Sequence, residues 1–143
     1  MYIVEDIMSK ELLKQWEKSI ATNHFPNHIG VVIDDIDLTG ARAHIDLRPE
    51  TMNAIGIAHG GVTYTLADTC AAYASRGDGR EYVTQQSNFY YIKAGKGNRI
   101  NAKATVINRT RSLCIVDVDV FDETNSLICT GTFNYFCITK KDS

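Results

Sequence analysis

The sequence contains no long apolar run, no large excess of charge of either sign, and no CxxC pair. A membrane-spanning helix needs about 20 consecutive apolar residues, and no stretch approaches that length. The net charge of -2 lacks the basic footprint of a nucleic-acid-binding protein, and no lysine block indicates an anionic membrane. The charged N-terminus has no apolar signal-peptide core, so we expect a cytoplasmic protein.

The four cysteines are too far apart along the chain for a typical zinc site. They are Cys70, Cys114, Cys129 and Cys137, and three of them lie within strand-like apolar runs. Free cysteine is among the residues most often buried, so we expect reduced thiols in the core, as is usual in the cytosol. The sequence predicts no metal site and no cofactor.

The pattern of apolar residues predicts one domain over residues 1–143 with a clear order of elements. Apolar residues at helical spacing predict one N-terminal helix starting at Ser9, and 23–30 reads as a loop. A long helix of small and apolar residues is predicted over 60–76. β-Branched and alternating runs predict six strands, two before this helix and four after it: 29–38, 41–47, 81–94, 99–107, 112–122 and 127–138.

This order predicts an α+β fold in which an antiparallel sheet of about five to six strands wraps around one long central helix. Alternation supports the sheet: Ile100, Ala102 and Ala104 share one face, opposite Asn101 and Lys103. The predicted N-terminal helix is an addition to that core.

The central helix, "GGVTYTLADTCAAYAS", carries one acid where its neighbours are apolar or small. Burying an unpaired carboxylate is costly, so Asp68 either has a chemical function, or is solvated on an exposed face of the helix, or has a partner such as a neighbouring hydroxyl. At the helix start, Gly60 and Gly61 leave unpaired backbone N–H groups accessible, as in an oxyanion hole. The alternative is that His59, Gly60 and Gly61 only form a tight turn into the helix.

The spacing of Gly60 and Asp68 bears on quaternary structure. Eight residues of helix separate them by about 12 Å at 1.5 Å per residue. One bound carbonyl group cannot contact both within one helix. If both serve one reaction, the acid must come from a second copy of the chain.

These residues carry a resemblance to a known family. Asn53, Gly56, the His-Gly-Gly at 59–61 and the Leu-Ala-Asp-Thr at 66–69, within this order of elements, resemble the PaaI-like branch of the hotdog-fold acyl-CoA thioesterases. The resemblance implies hydrolysis of an acyl-CoA with no cofactor. The N–H of Gly60 would polarise the thioester carbonyl, and Asp68 of the partner subunit would act as nucleophile or as general base. The family forms homodimers joined edge to edge, commonly paired into tetramers.

The resemblance also implies roles for neighbouring residues. Thr69 would hold the acid or the water, and Asn53 and His59 would orient the thioester and its loop. The water would be placed by Thr84 or Ser87, and the choice stays open. The remaining substrate-binding candidates are Gly61 and three cations suited to the phosphates of CoA, namely Lys93, Arg109 and Arg111, for which solvated loop charges are the alternative.

Two departures from the family pattern stand close together. Related sequences usually have a proline after the long third strand, where this chain has Lys93, Ala94 and Gly95. The preceding strand is unusually aromatic, and either an aryl or medium acyl pocket or a core or interface role would explain it. Two other functions compete with hydrolysis: non-catalytic binding of acyl-CoA, and a hotdog hydratase or dehydratase acting on acyl thioesters.

Overall fold

The computed structural model describes residues 2–139. Four helices and six strands are connected by loops and by two short 3-10 turns, at Pro49–Thr51 and Arg76–Asp78. The helices are α1 (Tyr2–Gln15), α2 (Glu17–Thr22), α3 (His24–Ile29) and α4 (Gly60–Ser75). The strands are β1 (Val32–Ile36), β2 (Gly40–Asp46), β3 (Tyr82–Tyr91), β4 (Arg99–Arg109), β5 (Leu113–Asp122) and β6 (Leu127–Cys137).

The six strands form one antiparallel sheet in the order β1-β2-β4-β5-β6-β3. Helix α4 lies against one face of this sheet and contacts all six strands. The predicted α+β architecture and the six strands are confirmed, and the central helix ends one residue earlier than predicted. None of the helices among residues 2–139 is long and apolar enough to cross a membrane.

Small side chains let α4 approach the sheet closely. Ala41 and Ala43 of β2 and Ala102 and Ala104 of β4 are buried facing the core. The Cys70 thiol, fully buried on α4, is 3.4 Å from the carbonyl oxygen of Ala41, and burial raises the pKa of this thiol above its usual range. The four cysteines are free, and all but Cys137 are buried, as the sequence predicts.

The N-terminal region differs from the prediction. Three short helices replace one, Ser9 lies inside α1 rather than at its start, and the predicted loop at 23–30 is mostly helix α3. Pro26 is the third residue of α3, where its missing N–H would have no helical partner, so proline is tolerated. Gly30 then ends the helix in the left-handed conformation, with φ of 92°, which glycine adopts readily.

Strand β3 forms one edge of the sheet, since it pairs only with β6 among the described strands. It is ten residues long and largely exposed. Val83, Tyr90 and Tyr91 are 46%, 68% and 57% exposed, which is much apolar surface for an unpaired edge. The register with β6 shifts between Thr84 and Gln86, so a β-bulge interrupts the strand next to α4.

Candidate active site

Asp68 is half-buried in the middle of α4 and is held by two hydroxyl groups. The Thr84 hydroxyl donates to its Oδ1 over 2.9 Å, and the Tyr135 hydroxyl lies 2.9 Å from the same oxygen. Thr84 and Tyr135 are directly opposite each other on β3 and β6. The acid that the sequence singles out therefore has hydroxyl partners, and both partners come from the sheet.

Tyr135 is a residue of the candidate site that the sequence patterns do not indicate. Its side chain is fully buried, and its hydroxyl is also 2.8 Å from the backbone carbonyl oxygen of Asp68. Burial, and then the negative charge of Asp68, raise the pKa of Tyr135 well above its usual value, so the phenol remains a neutral donor. The available signal was its inward position next to Phe133 on β6, since a buried tyrosine hydroxyl usually needs a partner.

Helix α4 begins at a free backbone donor. The His59 side chain caps the helix: its Nδ1 accepts the N–H of Gly61 at 2.8 Å. An Nδ1 that accepts a hydrogen bond leaves the ring proton on Nε2. Within residues 2–139 the Gly60 N–H has no acceptor. Of the two glycines, only Gly60 thus offers an unused N–H, and an oxyanion could accept it.

The loop before α4 is fixed by hydrogen bonds at several points. The Asn53 side-chain oxygen accepts the N–H groups of Ile55 and Ile57, which closes a tight turn. The N–H of Ala58 donates to the carbonyl of Gly95 at 2.8 Å. Gly95 is buried, and a side chain there would collide with Ala58. This contact takes place where the family resemblance implies a proline, and it holds the loop that leads to Gly60.

Aromatic rings connect the two ends of the site. The Tyr91 hydroxyl donates to the carbonyl of Gly60 at 3.2 Å. Phe89 packs edge-on against both Tyr91 and Tyr64, with ring centres 5.1 and 5.4 Å apart. The Ser87 hydroxyl is 2.6 Å from that of Tyr64, so Ser87 contacts the aromatic wall whereas Thr84 contacts Asp68. Tyr90 is on the opposite, outer face of β3.

The remaining predicted residues lie at different positions around the site. Thr69 is buried on α4, and in the described part of the chain the Asp68 carboxylate takes its hydrogen bonds from Thr84 and Tyr135 instead. Lys93 is exposed just beyond β3, with its Nζ 3.2 Å from the Ser126 hydroxyl.

The two arginines lie at the other end of α4. Arg109 donates to the carbonyl groups of Leu38 and Ala74 at 2.8 and 3.0 Å, where it caps the C-terminus of the helix. Its Nε lies 3.7 Å from the Asp78 carboxylate. Arg111 is exposed nearby, and its backbone carbonyl accepts a hydrogen bond from Arg80. The structure therefore separates Arg109 and Arg111 from Gly60 by the length of α4.

One long helix held by a six-stranded antiparallel sheet in this order is the hotdog fold. Within that fold, the chain belongs to the Thioesterase superfamily, whose family model matches residues 55–129, from the loop before α4 into β6. The fold and the family predicted from the sequence are thereby confirmed.

Solved structures resemble the chain over most of its length. The PaaI protein from the Escherichia coli phenylacetic acid degradation operon covers 95% of this chain and 99% of its own, with a TM-score of 0.87; at 18% identity it shows the fold alone. A hypothetical thioesterase of Streptococcus pneumoniae, solved with coenzyme A, is 26% identical and covers 83% of this chain and 96% of its own, with a TM-score of 0.76. A thioesterase of Haemophilus influenzae is 25% identical and covers 85% and 87%, with a TM-score of 0.77.

Proposed function

We propose that the protein hydrolyses an acyl-CoA thioester to a free acid and CoA. The observation that carries this proposal is the pairing of a free Gly60 N–H with a hydroxyl-held Asp68 along one face of α4. Membership of the Thioesterase superfamily supports the reaction class. The coenzyme A in the structure of the pneumococcal relative supports the thiol part of the substrate.

The chemistry needs only groups that the chain supplies. As water attacks the thioester carbon, Asp68 takes a proton from it, and the negative charge on the carbonyl oxygen is stabilised by the Gly60 N–H. When the carbon–sulfur bond breaks, the thiolate leaves and accepts the proton held by Asp68, which yields the acid and CoA. Direct attack by Asp68 would form an anhydride that water then opens, and it would use the same two groups.

The two groups come together only across two subunits in this proposal. Gly60 and Asp68 are eight residues apart in one helix, about 12 Å along its axis. Tyr91 contacts Gly60, and Thr84 contacts Asp68, so opposite ends of β3 mark the two half-sites. Antiparallel pairing of two β3 edges would place the Thr84 end of one opposite the Tyr91 end of the other.

A specific register follows from the bulge. The carbonyl of Asn88 points towards Gly131 of β6, so Ser87 and Phe89 present their N–H and C=O groups to the outer edge. Gln85 is the extra residue of the bulge and takes no place in the pairing. With Gln85 left out of the count, Thr84 lies opposite Tyr91 only if the twofold axis between the two strands passes through Asn88. The expected homodimer therefore has a continuous sheet, with Asn88 facing its own copy in a non-hydrogen-bonded pair. Pairing of two such dimers into a tetramer stays a prediction from the family resemblance.

Asn88→Cys is expected to form a disulfide between subunits on mild oxidation. The Cα atoms of a non-hydrogen-bonded antiparallel pair are about 4.5 Å apart, within the roughly 4.4–6.8 Å that disulfides span. Non-reducing electrophoresis would show a covalent dimer. Tyr90→Cys, on the same face of β3 but not facing itself, is the matched control. Crosslinking of Tyr90→Cys with none of Asn88→Cys would contradict the register.

The route proposed for the CoA phosphates uses Lys93 and not Arg109, and the exposed Arg111 lies with Arg109 at the other end of α4. Lys93 follows β3 at the end of the sheet where Gly60 and Gly95 lie. Arg109 already donates to the carbonyl group of Leu38 and to that of Ala74 at the end of α4, and this leaves its terminal nitrogens committed to the fold.

Arg109→Ala should therefore lower stability rather than substrate affinity. Loss of the charged hydrogen bonds to the carbonyl groups of Leu38 and Ala74 is expected to reduce the free energy of unfolding by about 2–3 kcal/mol. Urea unfolding measures this, and Arg111→Ala, at an exposed site, should change it by less than about 0.5 kcal/mol. A raised KM for acyl-CoA in folded Arg109→Ala, without loss of stability, would instead assign Arg109 to the phosphates.

The experiment that tests the function is turnover of an acyl-CoA panel. Acetyl-, butyryl-, hexanoyl-, decanoyl-, benzoyl- and phenylacetyl-CoA would each be incubated with the purified protein while free thiol is measured. Release of thiol from at least one member supports hydrolysis. Tight binding without thiol release would favour a binding protein. In a parallel incubation with an enoyl-CoA, loss of its ultraviolet absorbance without thiol release would favour a hydratase.

A further inference from the structure

The two hydroxyl donors of Asp68 both act on one oxygen of its carboxylate. Thr84 from β3 and Tyr135 from β6 each lie 2.9 Å from Oδ1. Among the described residues, no group donates to Oδ2. A carboxylate held through one oxygen keeps a fixed orientation, and its other oxygen is left to react.

The charged surroundings of Asp68 are sparse. No cationic side chain lies within 4.0 Å of its carboxylate in the described part of the chain. The titratable groups around the Tyr135–Asp68 pair are Tyr64 and Cys70 on α4 and the buried Cys114 of β5, which lies directly opposite Tyr135. β3 contributes the Thr84 hydroxyl, and apart from Cys114 the buried faces of β2, β4 and β5 are alanine, isoleucine and valine. The Asp68 carboxylate is therefore held by hydroxyl donors and not by an ion pair.

We propose that Tyr135 is a positioning residue, which together with Thr84 fixes Oδ1 of Asp68 and makes Oδ2 the oxygen that faces the substrate. This inference rests on the proposed hydrolysis. Tyr135 suits the role because it is buried between Phe133 and α4, with its ring stacked on that of Phe133 at 6.4 Å. A rigid donor that stays neutral holds the carboxylate without taking part in proton transfer.

A competing structural role is built into the same contact. The Tyr135 hydroxyl has one proton, and the backbone carbonyl of Asp68 is as close as Oδ1, at 2.8 Å. If the proton belonged only to that carbonyl, Tyr135 would brace the helix and leave the carboxylate alone. The two roles predict different kinetics.

The kinetic experiment uses the panel member that wild type hydrolyses fastest. Tyr135→Phe keeps the ring and removes only the hydroxyl, and we expect kcat to fall about tenfold with KM little changed, as for an interaction that orients the reacting group. Thr84→Val should lower kcat similarly, and Thr84→Ser, which keeps the hydroxyl, should retain the wild-type kcat. Removing both hydroxyls should lower kcat about a hundredfold if they act independently.

Tyr82→Phe is the matched control. Tyr82 is also buried, and its hydroxyl also donates to a carboxylate, that of Asp78, at 2.8 Å. Its loss should leave kcat unchanged. Wild-type kcat in folded Tyr135→Phe, while Asp68→Asn is inactive, would overturn the positioning role and leave the proposed hydrolysis standing.

A second measurement does not depend on activity. A buried hydroxyl proton bonded to a carboxylate gives a slowly exchanging, low-field proton resonance, which Tyr135→Phe should remove. Asp68→Asn should shift this resonance strongly if the proton lies on Oδ1, and leave it nearly in place if it lies on the backbone carbonyl. If no acyl-CoA is hydrolysed, the proposed function fails, and this resonance alone confirms or overturns the Tyr135–Oδ1 bond.

Discussion

Asp68→Asn is expected to lower thioester hydrolysis by about a thousandfold or more, because the proposed mechanism loses its only nucleophile or base. The replacement is nearly isosteric, and its amide oxygen can still accept from Thr84 and Tyr135. The charge and the basic oxygen are lost while the shape is kept. Free-thiol release from the best acyl-CoA measures the change in kcat.

A matched control separates chemistry from folding. Asp117 lies on the outer face of β5 and also accepts a threonine hydroxyl, that of Thr132, at 2.8 Å. Asp117→Asn makes the same atomic change away from the site and should retain full activity. Activity of Asp68→Asn within tenfold of wild type, in a folded protein, would refute the proposed mechanism.

Gly60→Pro is expected to lower kcat by about a hundredfold to a thousandfold, the range seen when one oxyanion donor is removed. Proline deletes the N–H that the proposal assigns to the oxyanion. Gly60 is the first residue of α4, where proline is favoured. His59 already has the extended conformation that a residue before proline requires, with φ of -60° and ψ of 138°. The helix should therefore form as before.

Gly60→Ala is the matched control for crowding. A side chain at this position meets the Tyr91 ring at 3.3 Å in both variants, but alanine keeps the N–H. Near-normal activity of Gly60→Ala beside an inactive Gly60→Pro assigns the loss to the donor. Equal losses of activity in the two variants would instead assign the effect to crowding against the Tyr91 ring.

Mixing the two inactive variants tests whether the site is shared. Subunits of Gly60→Pro and Asp68→Asn that exchange freely form mixed dimers in which one of two sites has both groups intact. Activity should return to about a quarter of the wild-type level, since half of the dimers are mixed and each has one working site. No recovery after verified exchange would place both groups in one subunit and contradict the proposed dimer.

Local sequence patterns were sufficient for the sheet and for α4. Alternation such as Ile100, Ala102 and Ala104 reports directly which face of a strand is buried, and the structure agrees. The N-terminal region was less predictable, because Pro26 reads as a helix breaker unless its position in the first turn is known. That position depends on where α3 starts, and Asn23, the residue at its N-cap, makes no side-chain capping hydrogen bond.

The candidate site was predictable where its residues are close in sequence and not where it depends on strand pairing. Gly60 and Asp68 can be found from the sequence of one helix. The Tyr135 contact depends on β3 and β6 lying side by side in a given register, and residues 67 positions apart carry no local signal of that. Arg109 illustrates the reverse, since a cation near a loop looks accessible until the end of α4 is seen to occupy it.

In the proposed dimer, the exposed β3 edge would link the onset of activity to assembly. If each working centre needs the β3 edges of two chains, a newly made single chain carries both half-sites but no complete one. It could not consume acyl-CoA before meeting its partner. Specific activity would then fall when the protein is diluted below the dissociation constant of the dimer. The exposed β3 edge, which favours aggregation of an isolated chain, would also keep that chain inactive until it pairs with a second one.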